Sequence, residues 1–178
     1  MSRLAHNRVA RGFTLMELVT TIAIAAILVA IAAPDMSLFV KNGRIRAAAE
    51  SLQNGLTLAR AEAVRRNRNV VFIRDATGWS VIDESSETLL HQGSGKEGAT
   101  GLTIAADPAD ADRITYDSFG RATKNAGGSA PLAMINIESA SPSENVNYRP
   151  LRIEILGTGA SRLCQPSVES TDPRACVL

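Results

Sequence analysis

The sequence predicts an α+β fold: one long N-terminal helix, apolar all round in its first half and packed by its second half on an antiparallel β-sheet head. Three observations predict it. Residues 13–33 form an uninterrupted run rich in Ile, Leu, Val and Ala whose only charge is Glu17. Ile45, Ala49, Leu52, Leu56, Ala59 and Ala63 then recur at spacings of 4, 3, 4, 3 and 4, the stripe of an amphipathic helix. Beyond Asn69 the apolar residues come in short, partly alternating groups, as in half-buried antiparallel strands.

Composition narrows the function classes. The 178 residues make about one domain, enough to bury a core without many disulfides or metals. Hydrophobic residues at 45% against 21% charged exclude wholesale disorder. A net charge of +1 excludes a polycation built to coat nucleic acid, and 4% aromatics leave little for a surface of stacked rings. Two cysteines make no disulfide framework, and no Cys/His cluster has zinc-ligand spacing.

Taken in order, the first element is a basic leader. Residues 1–12 carry Arg3, Arg8 and Arg11 and no acid. The apolar run that follows is long enough to cross a bilayer core of ~30 Å, and the positive charge ahead of it places the N-terminus in the cytoplasm. A cleavable signal peptide is the alternative. Ala32-Ala33 resembles the tail of a cleavage site, but Pro34 would follow the cut and Glu17 would sit inside the apolar core. Glu17 itself needs a reason, because an acid inside such a span costs ~2.5–3.5 kcal/mol. Either it reaches the interface or it pairs with a positive group on a neighbouring chain.

The helix is expected to run from 13 to about 67, some ~80 Å at ~1.5 Å per residue. Asn42-Gly43 and Gly55 weaken it, each glycine by ~1 kcal/mol against alanine. Residues 41–74 hold eight basic residues against Glu50 and Glu62, whereas the chain from 75 onward has eight basic and fourteen acidic ones. The densest basic stretch, Arg60 to Arg68, reads as a helix end whose arginines complement the dipole. A nucleic-acid patch and charge matching to an acidic neighbouring head are the other two readings.

Strands are expected at 70–73 and 79–82, joined by a hairpin turn at 75–78, then at 114–116, 132–137 and 151–155. Gly/Ser-rich stretches at 93–101 and 125–131 and a polar turn at 141–145 separate them. The stripe at 45–63 is expected to cover one face of a single sheet. Cys164 and Cys176 are either two separate thiols or a bridge. Export of the head favours the bridge, which would contribute ~3 kcal/mol in the entropic description and pin the tail.

Catalytic chemistry finds few candidates. His6 lies in the leader, and His91 is expected in an exposed loop. No G-x-S-x-G or G-x-x-x-x-G-K-[ST] is present, so neither a hydrolytic triad nor a nucleotide-binding loop is expected. Asp107, Asp110 and Asp112 lack the register of a calcium loop and read as an acidic loop. The expectation is no enzyme, no cofactor and no metal.

Gly12-Phe13-Thr14-Leu15-Met16-Glu17-Leu18 resembles the processing site of type IV prepilins and type II secretion pseudopilins. That resemblance implies a cut between Gly12 and Phe13 by a membrane-embedded prepilin peptidase and N-methylation of Phe13. It implies that Glu17 neutralises the N-terminal amine of the adjacent subunit in a filament, and that Pro34 is a helix-bending proline. Ala47-Ala48-Ala49-Glu50-Ser51-Leu52, Leu58-Ala59-Arg60-Ala61-Glu62-Ala63, Arg65-Arg66-Asn67 and Trp79 resemble the GspH/FimT group of minor pilins and pseudopilins. So do Arg162-Leu163-Cys164 and Asp172-Pro173-Arg174-Ala175-Cys176, which are FimU- and FimT-like.

The resemblance implies three parts: a leader at 1–12, a membrane and filament-core helix half at 13–34, and a head at 35–178. It also implies a single-pass protein of the bacterial inner membrane with a cytoplasmic N-terminus and a periplasmic head. From there it would enter the tip of a pilus or pseudopilus. Its partners would be the prepilin peptidase, other minor pilins or pseudopilins, the major subunit and the inner-membrane assembly platform. Three roles follow: a minor pilin that initiates and caps a type IV pilus, a tip pseudopilin of type II secretion, or a DNA receptor for natural transformation. For the last, some FimT proteins use Gly-Arg-x-Arg; here Gly159-Ala160-Ser161-Arg162 keeps only Arg162 as a DNA contact, and phosphate binding scales with the cations engaged. Nucleic acid is therefore not the favoured partner.

Overall fold

The computed structural model describes residues 12–75, 78–94, 101–140 and 148–177. The leader before Gly12, the turn at 141–145, Ala76-Thr77 and most of the 93–101 stretch lie outside them. The chain divides into two compact units, Met1–Ser37 and Leu38–Leu178.

Helix α1 runs Leu15–Arg66. Its start is set by Thr14, whose Oγ1 accepts the Glu17 backbone N–H at 3.2 Å, and Glu17 stands in the first turn. A Thr with an acid three residues on is an N-terminal signature, and an acid there also meets the positive end of the dipole. Its end is a Schellman motif: Asn67 takes φ 51°, its N–H reaches the Val64 carbonyl at 3.3 Å, and the Arg68 N–H reaches Ala63 at 3.2 Å. Both ends fall within two residues of the expected ones.

In the unit Leu38–Leu178 the expected stripe is the buried face. Ile45, Ala49, Leu52, Leu56, Ala59 and Ala63 are all buried, joined by Ala48. In the other unit Leu18, Val19, Ile22, Ile24, Ile27 and Leu28 are each more than half exposed. Among the described residues no single helix is long and apolar enough to cross a membrane; the stretches Leu15–Ile31 and Met36–Arg66 meet that test only together.

The strands are β1 (Val70–Asp75), β2 (Gly78–Asp83), β3 (Leu89–Ser94), β4 (Leu102–Asp107), β5 (Arg113–Tyr116), β6 (Ala122–Thr123), β7 (Met134–Ser139), β8 (Leu151–Ile155) and β9 (Ser161–Cys164). They form two antiparallel sheets, not the single one expected, in the orders β3-β2-β1-β5-β6 and β4-β7-β8-β9. The second sheet begins with β4, whose half-buried Leu102, Ile104 and Ala106 alternate with exposed Thr103, Ala105 and Asp107. Small residues made that alternation faint.

The strand expected at 132–137 is shifted to 134–139 for a physical reason. Leu132 donates its N–H to Arg113 of the first sheet at 2.9 Å, and Ala133 donates to Asp107 of the second at 2.9 Å. That short stretch therefore crosses between sheets before β7 begins. Both sheets and the α1 stripe share one core, with Phe72, Tyr116, Ile135, Ile137 and Ile153 fully buried.

Candidate functional site

Two groups of residues carry the functional expectations, one in each compact unit. The first is Gly12, Phe13 and Glu17. Phe13 and Leu15 are over 80% exposed, and Glu17 is exposed as well. The apolar side chains of this stretch are thus uncovered by their own chain, a state that water strongly disfavours and that lipid or other helices relieve.

The second group is the C-terminal tail. Cys164 and Cys176 form a disulfide. The tail it closes is tied back by a Gln165–Ala175 bridge, and the Gln165 N–H donates to Arg174 at 2.8 Å. Glu154 of β8, only 1% exposed, accepts the Val177 N–H at 3.1 Å. Arg162 lies 3.3 Å from the same carboxylate and donates to the Ala175 carbonyl at 2.8 Å. The single arginine left from the DNA-contact motif is therefore engaged inside its own tail. Burying an acid requires such partners, and here the tail supplies them.

Sequence reasoning missed Glu154. In Leu151-Arg152-Ile153-Glu154-Ile155 it reads as a residue of the solvent face, but the disulfide loop covers that face. Glu154, Cys164 and Cys176 bring potential metal-ligand atoms within 4.8 Å of one another. With the sulfurs bonded to each other, no thiolate is on offer.

The basic end of α1 is also largely committed. Glu62 is buried and accepts Arg65 Nη2 at 2.6 Å and Arg66 Nε at 2.7 Å, with His91 Nε2 at 3.5 Å. Arg65 foremost, then Arg66 and His91, hold its carboxyl well below the usual range, at about 2, against the opposing effect of burial. Arg60 donates through Nε to the Gly120 carbonyl at 2.9 Å, and Arg68 reaches Ser85 at 3.5 Å. These are the contacts of a helix end. His91, expected in an exposed loop, instead lies on β3 and is half-buried. The pairing of β3 with β2 places it opposite Val81; its polar neighbours Gln92 and Gly93 hid the strand. Of the acidic loop, Asp112 is taken up by Arg113, whose two nitrogens donate at 2.9 Å and lower its pKa.

Comparison with known proteins follows the same two groups. Residues 48–166 match the family described as type II transport protein GspH, and residues 7–33 match the prokaryotic N-terminal methylation motif. No curated protein sequence matches the chain. Two crystal structures of the type IV minor pilin FimU of Pseudomonas aeruginosa are similar in fold. One has 21% identity and a TM-score of 0.55 over 78% of this chain and 99% of that one. The other has 20% identity and a TM-score of 0.51 over 74% and 99%.

Proposed function

The chain belongs to the GspH family of type II transport proteins, the minor pilins and pseudopilins, and on that premise we propose that it primes or caps assembly of a type IV pilus or type II secretion pseudopilus. It does so as a structural subunit without enzymatic activity. The observation that carries the proposal is Gly12-Phe13-Thr14-Leu15-Met16-Glu17, within the methylation motif, at the head of a helix whose apolar side chains from Leu15 to Ile31 are exposed. That motif and that apolar helix suggest membrane anchoring.

In this reading the prepilin peptidase removes residues 1–12 and methylates Phe13. Residues 13–34 cross the inner membrane once and later enter the filament core, with residues 35–178 as the periplasmic head. Glu17 neutralises the terminal amine of the adjacent subunit, which supplies the partner an acid in an apolar span requires. The partners are other minor pilins or pseudopilins, the major subunit and the assembly platform. Engagement of Arg162 by Glu154 and Ala175 supports this role over DNA reception.

Mass spectrometry of protein from the envelope, with recovery from the sheared filament fraction, tests the reading. It requires a chain starting at methylated Phe13, present in that fraction far below the major subunit. A chain starting at Met1, or cut after Ala33, would overturn it.

A further inference from the structure

Thiol–disulfide exchange depends on which sulfur a thiolate can reach and on how readily the other sulfur leaves. The Cys164–Cys176 bridge is asymmetric in both respects. Cys164 is only 3% exposed, whereas Cys176, next to the exposed Val177, is half-buried. A carboxylate oxygen of Glu154 lies within 4.8 Å of both sulfurs. β7 sets the uncharged Met134 opposite Glu154, and β9 sets Arg162 opposite it, 3.3 Å away. The tail adds the Val177 N–H at 3.1 Å. Arg152 stands opposite Cys164, but its Nε donates to Asn136 Oδ1 at 2.7 Å. The Arg162 side chain is 42% exposed and its charge is screened by water; that of Glu154 is 2% exposed and acts at close to full strength on the sulfurs.

We propose that Cys176 is the sulfur at which exogenous thiolates enter this bridge, and that Glu154 shields the closed bridge against them. In that step the reagent's thiolate attacks Cys176 Sγ and a new S–S bond forms. The bond between Cys176 and Cys164 breaks, and its electron pair stays on Cys164 Sγ, which then takes a proton from solvent. A second thiolate of the reagent releases Cys176 and leaves as the reagent's own disulfide, so two reagent thiols are oxidised and the two cysteines reduced. Negative charge thus develops on a sulfur that is out of water and beside a carboxylate, and both conditions disfavour a thiolate. A poorer leaving thiolate leaves more slowly. Attack on Cys164 instead is closed off by its burial. The shield acts on the rate of exchange, in both directions. It goes beyond the filament role and stands without it.

The test uses the purified full-length chain in detergent and two small thiols, the anionic 3-mercaptopropionate and the cationic cysteamine. Acid quenching during reduction, followed by peptide mapping, should find the reagent joined to Cys176 and a free thiol at Cys164. Glu154→Gln removes the charge but keeps an acceptor for the Val177 N–H. It should speed reduction by 3-mercaptopropionate about tenfold and reduction by cysteamine clearly less. Glu154→Asp, which retains the charge, should react at close to the parental rate. The parent chain alone gives a further reading: cysteamine should outpace 3-mercaptopropionate by a larger factor on the folded chain than on the chain unfolded in urea. A reagent adduct on Cys164 would overturn the proposal, as would equal factors on folded and unfolded chain. An unchanged rate in Glu154→Gln would do the same. So would an equal gain with both thiols, or a gain as large in Glu154→Asp, since loosening of the tail alone produces either.

Discussion

Gly55 of α1 is where the helix meets the indole of Trp79: a Cβ at that position would lie 2.6 Å from Cδ2 of the ring and 2.8 Å from Cε2 of Phe72. The ring is held from the other strand as well, since a Cβ at Gly93 would overlap it, and its Nε1 donates to Ser51 Oγ at 3.1 Å. Phe72 stacks alongside, with centroids 6.1 Å apart. Gly55→Ala therefore inverts the usual rule. Helix propensity favours alanine by ~1 kcal/mol, but overpacking at this contact costs about 1–3 kcal/mol, so the variant should melt several degrees lower. Gly43→Ala is the control: nothing lies within 4 Å of its Cβ, and it should be neutral or stabilising by up to ~1 kcal/mol. Thermal unfolding followed by near-ultraviolet circular dichroism reads both, and a stabilised Gly55→Ala would refute the contact.

The same glycine shows what a sequence conveys and what it hides. Read by propensity, Gly55 only weakens a helix; its purpose appears when a strand 24 residues away brings a ring against it. The α1 stripe was legible because one helical period governs Ile45 through Ala63 over five turns. β4 was not, since Leu102, Ile104 and Ala106 bury little and alternate weakly. The two-sheet division hangs on hydrogen bonds of Leu132 and Ala133, which no local pattern encodes. Of the candidate sites, the Gly12–Glu17 stretch is contiguous and therefore readable. Glu154 gains its meaning only from a tail that arrives from residues 162–177.

Glu62 gives a pH prediction. Its folded-state pKa of about 2 lies below the ordinary value of 4.5. The unfolded chain therefore takes up the proton first as pH falls. The stabilisation is complete above pH 4.5 and disappears as pH approaches 2. Arg65 is largely in water, so the contribution is about 1–2 kcal/mol after screening. Glu62→Gln should lose that amount at pH 7 and show little difference from the parent chain near pH 2. Urea unfolding across that range measures the gap, and a gap independent of pH would exclude the carboxylate as its source.

Glu17→Ala separates anchoring from assembly. The substitution removes the acid and leaves the apolar run at 13–33 uncharged, so membrane insertion becomes easier by up to ~3 kcal/mol. The lost Glu17 side chain leaves the Thr14 cap in place, because that cap uses the backbone N–H of residue 17. The variant should stay in the membrane fraction at normal level, with its head folded, and fail to enter filaments. Fractionation and immunoblotting of sheared filaments decide it; normal incorporation would show that the acid has no part in docking.

Arg162→Ala tests whether this arginine serves the tail or a nucleic acid. In the structure it bridges the buried Glu154 and the carbonyl of Ala175, which lies in the loop closed by Cys164 and Cys176. Removing it takes one cation from an acid at 1% exposure, which keeps the Val177 N–H. Breaking a buried pair costs ~3–5 kcal/mol; Arg162 is itself 42% exposed along its side chain, which reduces the expectation to about 2 kcal/mol. Disulfide reduction should act on the same tail, with a loss of about 3 kcal/mol, and the two losses should add less than fully because they release one structure. Duplex DNA binding should be weak, around or above the non-specific range of ~10⁻⁴–10⁻⁶ M at physiological salt, and unchanged by the substitution. Unfolding curves and fluorescence anisotropy on the same preparation give both readouts. A variant that keeps its stability but loses a submicromolar DNA affinity would reverse the assignment and make DNA reception the leading function.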